Sequence, residues 1–243
     1  MEINSVSNNR VKMWMKLHTK KERDKTSKFL LEGEHLIIEA SKKGVIETLL
    51  VIDGYKQKFV CNEVIVCSES VLKKLSKNIS GCKCIAVCRV LNSEIKKFDR
   101  LLLLDDVQDP GNMGTIIRSA VSFGFDAIIA SNNSVDFYND KTIRSTQGAI
   151  FSIPLIRSDI LKEIENLKKH DTKLFAFALG EDANNLDDVK KVKRMALVFG
   201  NEGQGIRNEV IRACDAAVKI EMNNFESLNV AVAAGIAMYK FRK

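Results

Sequence analysis

The sequence predicts an α/β protein of two domains, the second built on a parallel sheet covered by helices. Strands and helices alternate through the first ~90 residues as in a compact α/β unit. Beyond residue 100, short and nearly continuous apolar runs alternate with helical segments. Strands that are apolar on both faces are typical of parallel sheets buried between helices. A length of 243 residues allows a real core in each domain.

The first domain is predicted over residues 1–92 and a linker over residues 93–99. One or two helices are predicted within residues 1–30, and others at 33–42 and 68–78, the last capped by Ser68 or Ser70. The predicted strands are 28–32, 46–53, 63–68 and 82–90.

The second domain is predicted over residues 100–243. Its predicted strands are the runs RLLLLDDV, DAIIAS, KLFAFAL and MALVFG, which begin at residues 100, 126, 173 and 195. One helix is predicted after Pro110 and another after Asn229. The second helix contains AVAAGIA, whose small residues predict close packing against another element or another subunit.

Positive charge is concentrated in the first domain. Residues 1–99 carry 19 Lys and Arg against 12 Asp and Glu, whereas residues 100–243 carry 19 of each. Most charge runs are solvated helix faces, but an excess confined to one half of a chain indicates a polyanion-binding module. Nucleic acid is therefore the expected partner. The residues expected to bind it are Arg10, Lys20, Lys21, Arg23 and Lys25.

The cysteines and the hydropathy pattern predict a cytoplasmic protein with no metal site. The run CKCIAVC alternates like one face of a strand and has no histidine at a zinc spacing, which favours buried thiols over metal ligands. No apolar run is long enough to cross a bilayer, and the first residues lack a signal-peptide hydrophobic region.

Three predicted strand ends carry unusual sequence, and ligands of open parallel sheets bind beyond the carboxyl ends of strands. The first is DDVQDPGNMGTIIRSA, in which Arg118 has small and apolar neighbours. The second is GNEGQG at 200–205, whose glycines fit either close backbone approach to a ligand or a tight turn. Its spacing matches neither a Walker loop nor a dinucleotide fingerprint. The third is IEMNNFESLNV at 220–230.

Together the three stretches resemble one family. N-x-G-x-x-x-R (Asn112, Gly114, Arg118), G-x-E-G-x-G and M-x-x-x-E-S-L-N-V occur in this order on three strand ends. The pattern resembles the SpoU/TrmH family of RNA ribose 2′-O-methyltransferases, in the SPOUT superfamily. The resemblance is strong over about residues 100–243. Over residues 1–90 it is weaker, and points to the ribosomal-protein-like substrate-binding domain that many members carry.

The resemblance implies a SPOUT domain whose C-terminal part is tied in a trefoil knot, a homodimer, and S-adenosylmethionine as cofactor. Adenine needs a flat apolar slot with a few backbone hydrogen bonds. The implied cofactor-binding positions are Ala178, Leu179, Gly180, Gly200, Ile220, Met222, Leu228 and Val230.

The third stretch departs from the family pattern. The family reads I-P-M-x-G before E-S-L-N, whereas this chain has Ile220, Glu221, Met222, Asn223 and Asn224 in a loop one residue shorter. Since asparagine tolerates left-handed backbone better than most residues, Asn223 or Asn224 is expected where the family has glycine.

The resemblance also implies the catalytic residues. Arg118 is placed beside the ribose, Asn112 and Glu202 near it, and Ser227 and Asn229 across the pocket. Since a guanidinium stays protonated at neutral pH, positioning and charge stabilisation at the 2′-oxygen are favoured over a role as general base. The structural alternative is a buried ion pair between Arg118 and Glu202. No histidine lies in these motifs, and Ser227 lacks a hydrolase nucleophile elbow.

The resemblance thus implies an enzyme that methylates a ribose 2′-hydroxyl in structured RNA, with ribosomal RNA favoured over tRNA. Three alternatives stay open: a tRNA ribose methyltransferase, a non-catalytic RNA-binding protein that keeps the fold, and a base methyltransferase from another SPOUT branch.

Overall fold

The computed structural model describes residues 1–77, 82–91, 94–95, 99–180, 182–223 and 227–243, and the chain divides into two compact units. The first unit comprises Met1–Asn92 and Tyr138–Phe151, and the second comprises Ser93–Phe137 and Ser152–Lys243. Residues 93 and 96–98 of the expected linker lie outside the described residues. Across the described ranges, no helix is long and apolar enough to cross a membrane.

The elements follow in chain order. The strands are β1 (Glu2–Ile3), β2 (Lys28–Glu32), β3 (Ile46–Val51), β4 (Glu63–Cys67), β5 (Cys84–Arg89), β6 (Arg100–Leu104), β7 (Ala127–Ala130), β8 (Leu155–Arg157), β9 (Lys173–Phe177), β10 (Asn184–Asn185), β11 (Met195–Phe199) and β12 (Ala216–Lys219). The helices are α1 (Asn9–Lys16), α2 (Lys20–Thr26), α3 (Glu34–Lys42), α4 (Glu69–Leu75), α5 (Pro110–Ser122), α6 (Asp140–Thr146), α7 (Ile160–Lys168), α8 (Asn208–Ala213) and α9 (Val230–Lys240). Short 3-10 helices lie at Ala149–Phe151 and Leu186–Asp188.

The first unit is a mixed five-stranded sheet in the order β1-β4-β3-β5-β2. On one face, Trp14 of α1 and Leu72 of α4 belong to the same buried cluster as Leu50 and Ile65 of the sheet. The predicted strands β2 to β5 and helices α1 to α4 are confirmed, and Ser68 caps α4. The sequence pattern missed β1, which pairs in parallel with β4, because two residues are too short to show an alternation.

The second unit is a seven-stranded sheet in the order β10-β12-β9-β11-β6-β7-β8, with every pair parallel. Leu174 and Ala176 of β9 pack into one cluster with Ile164 of α7. Phe175, between them in sequence, faces the other side and stacks on Phe241 after α9, with ring centroids 6.2 Å apart. Helices therefore cover both faces of the sheet, and the predicted parallel architecture is confirmed.

The parallel sheet places its loops at one edge. Because all its strands run in the same direction, the segments that follow β6, β9, β11 and β12 leave the sheet at the same edge. Three of these segments, those after β6, β11 and β12, contain the unusual sequence stretches, so the fold itself brings residues far apart in the chain to one place.

Candidate active site

The stretch after β6 is the beginning of a helix. Asp109 caps α5, since its side chain accepts a hydrogen bond from the Asn112 amide N–H at 2.8 Å, and Pro110 occupies the first turn. A Cβ on Gly111 would lie 2.8 Å from Oδ1 of Asp109, so this position has no room for a side chain while the cap is in place. The glycine and proline after the strand thus fix where α5 starts.

The carboxylate of Glu202 joins the loop after β11 to this helix start. Its Oε1 accepts hydrogen bonds from the Asp109 N–H at 3.0 Å and from Nδ2 of Asn112 at 3.0 Å, and its Oε2 accepts one from the Gln108 N–H at 3.1 Å. Partial burial raises the pKa of Glu202, but the donated hydrogen bonds outweigh this effect and hold its pKa below the ordinary value. The carboxylate is therefore ionised at neutral pH.

Asn112 extends the connection to α9. Because its Nδ2 donates to Glu202, its Oδ1 is left to accept from Nδ2 of Asn229, at 3.0 Å. Oδ1 of Asn229 in turn accepts from the N–H groups of Ala231 and Val232 and so caps α9. Glu202, Asn112 and Asn229 form one directional chain of hydrogen bonds, called here the carboxylate–amide network, which has solvent access.

Two further contacts, which the sequence analysis missed, fix the loop after β11 at its ends. The Asp105 carboxylate is fully buried and accepts from the Arg207 N–H at 3.0 Å and from its Nε at 2.9 Å, and this pairing raises the pKa of Arg207. Nδ2 of Asn201 donates to the Asp106 carbonyl at 2.9 Å. The only sequence signal was a pair of acids at a strand end, because their partners lie about a hundred residues away.

The GNEGQG stretch is both a tight turn and a wall of a cavity. Asn201 and Gly205 exchange two backbone hydrogen bonds of 2.9 Å. A Cβ on Gly200 would lie 2.2 Å from the Gly205 carbonyl carbon, so the loop closes only because residue 200 is glycine. Gly205 has a φ of +71°, in the left-handed region.

A cavity of about 740 Å³ lies beyond the ends of β9, β11 and β12. Seven of the eight expected cofactor positions line it, and Gly180 does not: the lining includes Ala178, Leu179, Gly200, Ile220, Met222, Leu228 and Val230. Three of the five expected catalytic residues line the cavity: Glu202, Ser227 and Asn229. Asn112 is connected to the cavity by its hydrogen bonds to Glu202 and Asn229. Asn224 of the departing loop lies outside the described residues.

Arg118 differs from its sequence-based description. Its side chain is exposed on α5 and does not line the cavity. Among the described residues its guanidinium makes neither a hydrogen bond nor an ion pair, so the alternative of a buried ion pair with Glu202 is wrong. The apolar residues around it in sequence, such as Ile116 and Ile117, point into the core while Arg118 points to solvent.

The basic residues expected to bind nucleic acid fall into two groups. Arg10 forms a two-pronged contact with Glu63, at 2.9 and 2.5 Å, and Arg23 is 7 % exposed and donates to the Leu17 carbonyl at 2.8 Å. Both arginines thus hold the first unit together. Lys20, Lys21 and Lys25, by contrast, are exposed.

All six cysteines are free thiols. Burial raises the pKa of Cys67 and of Cys82 to about 11, so neither thiol is a reactive thiolate at neutral pH. Among the residues that the structure describes, no group of three or more potential ligands is arranged to hold a metal ion.

Comparison with known proteins identifies both parts of the chain. The SpoU rRNA Methylase family matches residues 99–239, and the MRM3-like substrate binding domain matches residues 8–86. The 23S rRNA (guanosine(2553)-2'-O)-methyltransferase RlmP of Bacillus subtilis is 37% identical over 246 residues, which cover 99% of each chain.

Two solved structures share the fold along almost the whole chain. The AdoMet-bound rRNA methyltransferase of Sinorhizobium meliloti has a TM-score of 0.86 at 27% identity and covers 99% of this chain and 96% of its own. The SpoU methyltransferase AviRb of Streptomyces viridochromogenes, in complex with the cofactor AdoMet, has a TM-score of 0.85 at 26% identity and covers 96% of each chain.

The carboxylate of Glu202 gives a pH-dependent prediction. A carboxylate whose pKa is lowered by folding stabilises the fold above its ordinary pKa, and this stabilisation is lost as the pH falls through the lowered value. Between about pH 5 and pH 3, the free energy of unfolding should fall less steeply for Glu202→Gln than for the wild type. Urea unfolding at several pH values measures this. The exposed Glu165→Gln is the control and should follow the wild type; equal slopes for all three proteins would contradict the assignment.

The loop after β11 gives a second prediction. Gly200→Ala places a Cβ against the backbone of Gly205 and should lower the free energy of unfolding by about 3 kcal/mol. Gly203→Ala is the matched control, because its Cβ would meet only Oδ1 of Asn201, at 3.6 Å. This control should stay within about 0.5 kcal/mol of the wild type. Chemical denaturation of both variants is the measurement, and equal losses would show that the closed loop does not depend on Gly200.

Proposed function

Because the chain belongs to the SpoU rRNA Methylase family, we propose that it transfers the methyl group of S-adenosylmethionine to a ribose 2′-hydroxyl of ribosomal RNA. The other products are S-adenosylhomocysteine and the hydroxyl proton, which passes to solvent. The observation that carries the proposal is the carboxylate–amide network at the cavity, which joins Glu202 of the loop after β11, Asn112 of α5 and Asn229, the cap of α9. The Bacillus subtilis relative acts on 23S rRNA and matches along the whole chain, which supports ribosomal RNA over tRNA as substrate.

The cavity fits the cofactor. Its volume lies in the range of ~300–1,000 Å³ that small-molecule sites occupy. Leu179 is 60% exposed and Leu228 is 37% exposed, and exposed leucines that line a cavity are expected to be covered by an apolar group such as adenine. When bound, S-adenosylmethionine supplies a methyl group activated by its sulfonium. Ala178, Leu179, Gly200, Met222 and Leu228 are the residues that would hold it.

Glu202 acts in this proposal as a positioning residue. Three donors already occupy its carboxylate, and its lowered pKa makes it a weak proton acceptor. What it does is orient the Asn112 amide, which then orients the Asn229 amide. Ser227, an exposed residue that lines the same cavity, completes the polar edge at which a ribose would be held. Holding the attacking oxygen in the orientation needed for displacement lowers the barrier by about 7 kcal/mol in favourable cases.

Arg118 supplies the positive charge. Its exposed guanidinium suits a phosphate of the RNA and the negative charge that develops on the 2′-oxygen. Six residues correspond to about 600° of helix rotation, so Arg118 and Asn112 lie on different faces of α5. Arg118 therefore reaches the ribose from another direction than the network does.

A homodimer is part of the proposal. On α9, which packs beside α5, Val232, Ile236 and Tyr239 are 51%, 40% and 56% exposed. An apolar face of this kind is typical of a subunit interface.

The remaining assignments follow from the family. We assign RNA binding to residues 1–92 and methyl transfer to residues 100–243, with residues 93–99 as linker, and we expect the trefoil knot of the family in the C-terminal part. The MRM3-like domain match and the excess of positive charge support the first assignment. Free thiols and an RNA substrate support a cytoplasmic location.

The proposed activity is tested by transfer of labelled methyl from S-adenosylmethionine to RNA, followed by digestion to nucleosides. The substrate is total RNA from a strain that lacks this protein, so that the target ribose is unmodified. Label in a 2′-O-methylnucleoside of ribosomal RNA is the expected result. Label in a base, or in tRNA only, would contradict it, and the absence of both label and cofactor binding would favour a non-catalytic RNA-binding protein.

The same assay tests Arg118. Arg118→Ala should bind S-adenosylmethionine like the wild type, since Arg118 does not line the cavity, and should lose methyl transfer at least ~100-fold, as removal of one charge-stabilising donor does. Arg194→Ala is the control: this exposed arginine lies at the opposite edge of the sheet, where β11 begins. Normal turnover by Arg118→Ala would remove it from the catalytic residues.

A further inference from the structure

We propose that the RNA-binding surface is composite, built from α2 and from α6, a helix that the chain contributes from the middle of its methyltransferase half. The residues assigned are Lys20, Lys21 and Lys25 on α2, and Lys141 and Arg144 on α6. This inference rests on the proposed function, because it names the surface with which that enzyme holds its RNA.

The first observation is the placement of α6. Tyr138–Phe151 belongs to the first compact unit, although the strands on either side of it in sequence, β7 and β8, belong to the parallel sheet of the second. Within the first unit, the Phe29 ring of β2 contacts two aromatic rings of this segment, with ring centroids 4.7 Å from Tyr138 and 6.5 Å from Phe151. The segment is thus anchored through aromatic contacts to the core of the first unit.

The second observation is the distribution of charge between the two compact units. The first unit, with Tyr138–Phe151 included, contains 19 Lys and Arg against 11 Asp and Glu, whereas the second contains 19 against 20. The net charges of the two compact units therefore differ more than the net charges of residues 1–99 and 100–243 do. The positive unit has a net charge of +8 and the other a net charge of −1, which indicates that α6 belongs to the polyanion-binding side.

The third observation is that α2 and α6 border the same recess. Leu17 and His18 precede α2 and Arg23 lies within it, and these residues line a small recess together with Ile143 and Arg144 of α6. The recess itself is too small for a ligand; its importance is that it places the start of α2 beside α6. Arg23, which donates to the Leu17 carbonyl, fixes the turn that leads into α2, and Lys20 and Lys21 are the first two residues of that helix.

The side chains on this surface are accessible. Lys20, Lys21, Lys25 and Lys141 are exposed, and the Arg144 side chain is 41% exposed. Arg144 lies 3.0 Å from Asp140 in an i,i+4 pair at the surface, where such pairs contribute little and are readily exchanged for a stronger anion. A phosphate can take both prongs of an arginine, so RNA is the partner that this arrangement fits.

The test compares the salt dependence of RNA binding. The probe is 23S rRNA transcribed in vitro, bound by the full-length protein at several salt concentrations. Each lost phosphate contact should flatten the plot of log K against log salt by about 0.7–0.9. Lys141→Ala/Arg144→Ala should therefore reduce the slope by about 1.5 and lower affinity roughly tenfold at low salt. The double variant Lys168→Ala/Lys169→Ala removes the same charge from exposed lysines of the second unit and should leave the slope unchanged.

A variant that is expected to raise RNA affinity distinguishes loss of a contact from damage to the fold. Asp140→Asn removes the acid beside Arg144 and should raise affinity severalfold, whereas an unfolded surface would lower it. Binding of S-adenosylmethionine and the thermal midpoint are measured on every variant to confirm a folded protein. An unchanged slope for Lys141→Ala/Arg144→Ala, with the wild type binding normally, would overturn this inference alone. Failure of the wild type to bind RNA would overturn the proposed function and the inference with it.

Discussion

The arrangement of this site depends on the carboxylate of Glu202. It lies in the loop after β11 and accepts two N–H groups of the segment that leads into α5, where the partial positive charge of a helix start favours an anion. It also accepts from Asn112, and through it determines which way the Asn229 amide faces. Three segments from distant parts of the chain are thus linked to one charged centre, either directly or through Asn112, and hydrogen bonds to an ionised group are stronger than those between neutral groups.

The parallel sheet makes this convergence possible. β6 and β11 are neighbours in register, with Leu104 opposite Phe199, so the residues that follow each strand emerge side by side. The Asp105–Arg207 pair and the Asn201–Asp106 hydrogen bond then hold the two segments together near the sheet. Glu202 connects the same two segments through its hydrogen bonds at the start of α5. The proposed role of these residues, which is to position the substrate and not to exchange protons, requires such a rigid frame, because a displacement of about 1 Å can reduce the rate roughly 100-fold.

Local sequence patterns predicted most of the helices and strands, because these depend mainly on neighbouring residues. These patterns failed where burial or domain membership depends on contacts between residues far apart in the chain. The apolar neighbours of Arg118 suggested burial, but α5 has one buried and one exposed side, and Arg118 lies on the exposed one. Arg23 was expected at the surface as an RNA-binding residue, but its side chain is buried and donates to the Leu17 carbonyl. The membership of Tyr138–Phe151 in the first unit rests on aromatic contacts with Phe29, which no local pattern shows.

The central claim is that Asn112 and Asn229 act as one unit oriented by Glu202. A double-mutant cycle on the single-turnover rate of methyl transfer tests it most directly, with Asn112→Ala, Asn229→Ser and the two combined. Serine at 229 keeps an oxygen for the start of α9 but loses the amide that donates to Asn112. If the two residues form one unit, the double variant should be barely slower than the slower single variant, because either change disrupts the same unit. Rate losses that multiply would show that Asn112 and Asn229 act independently.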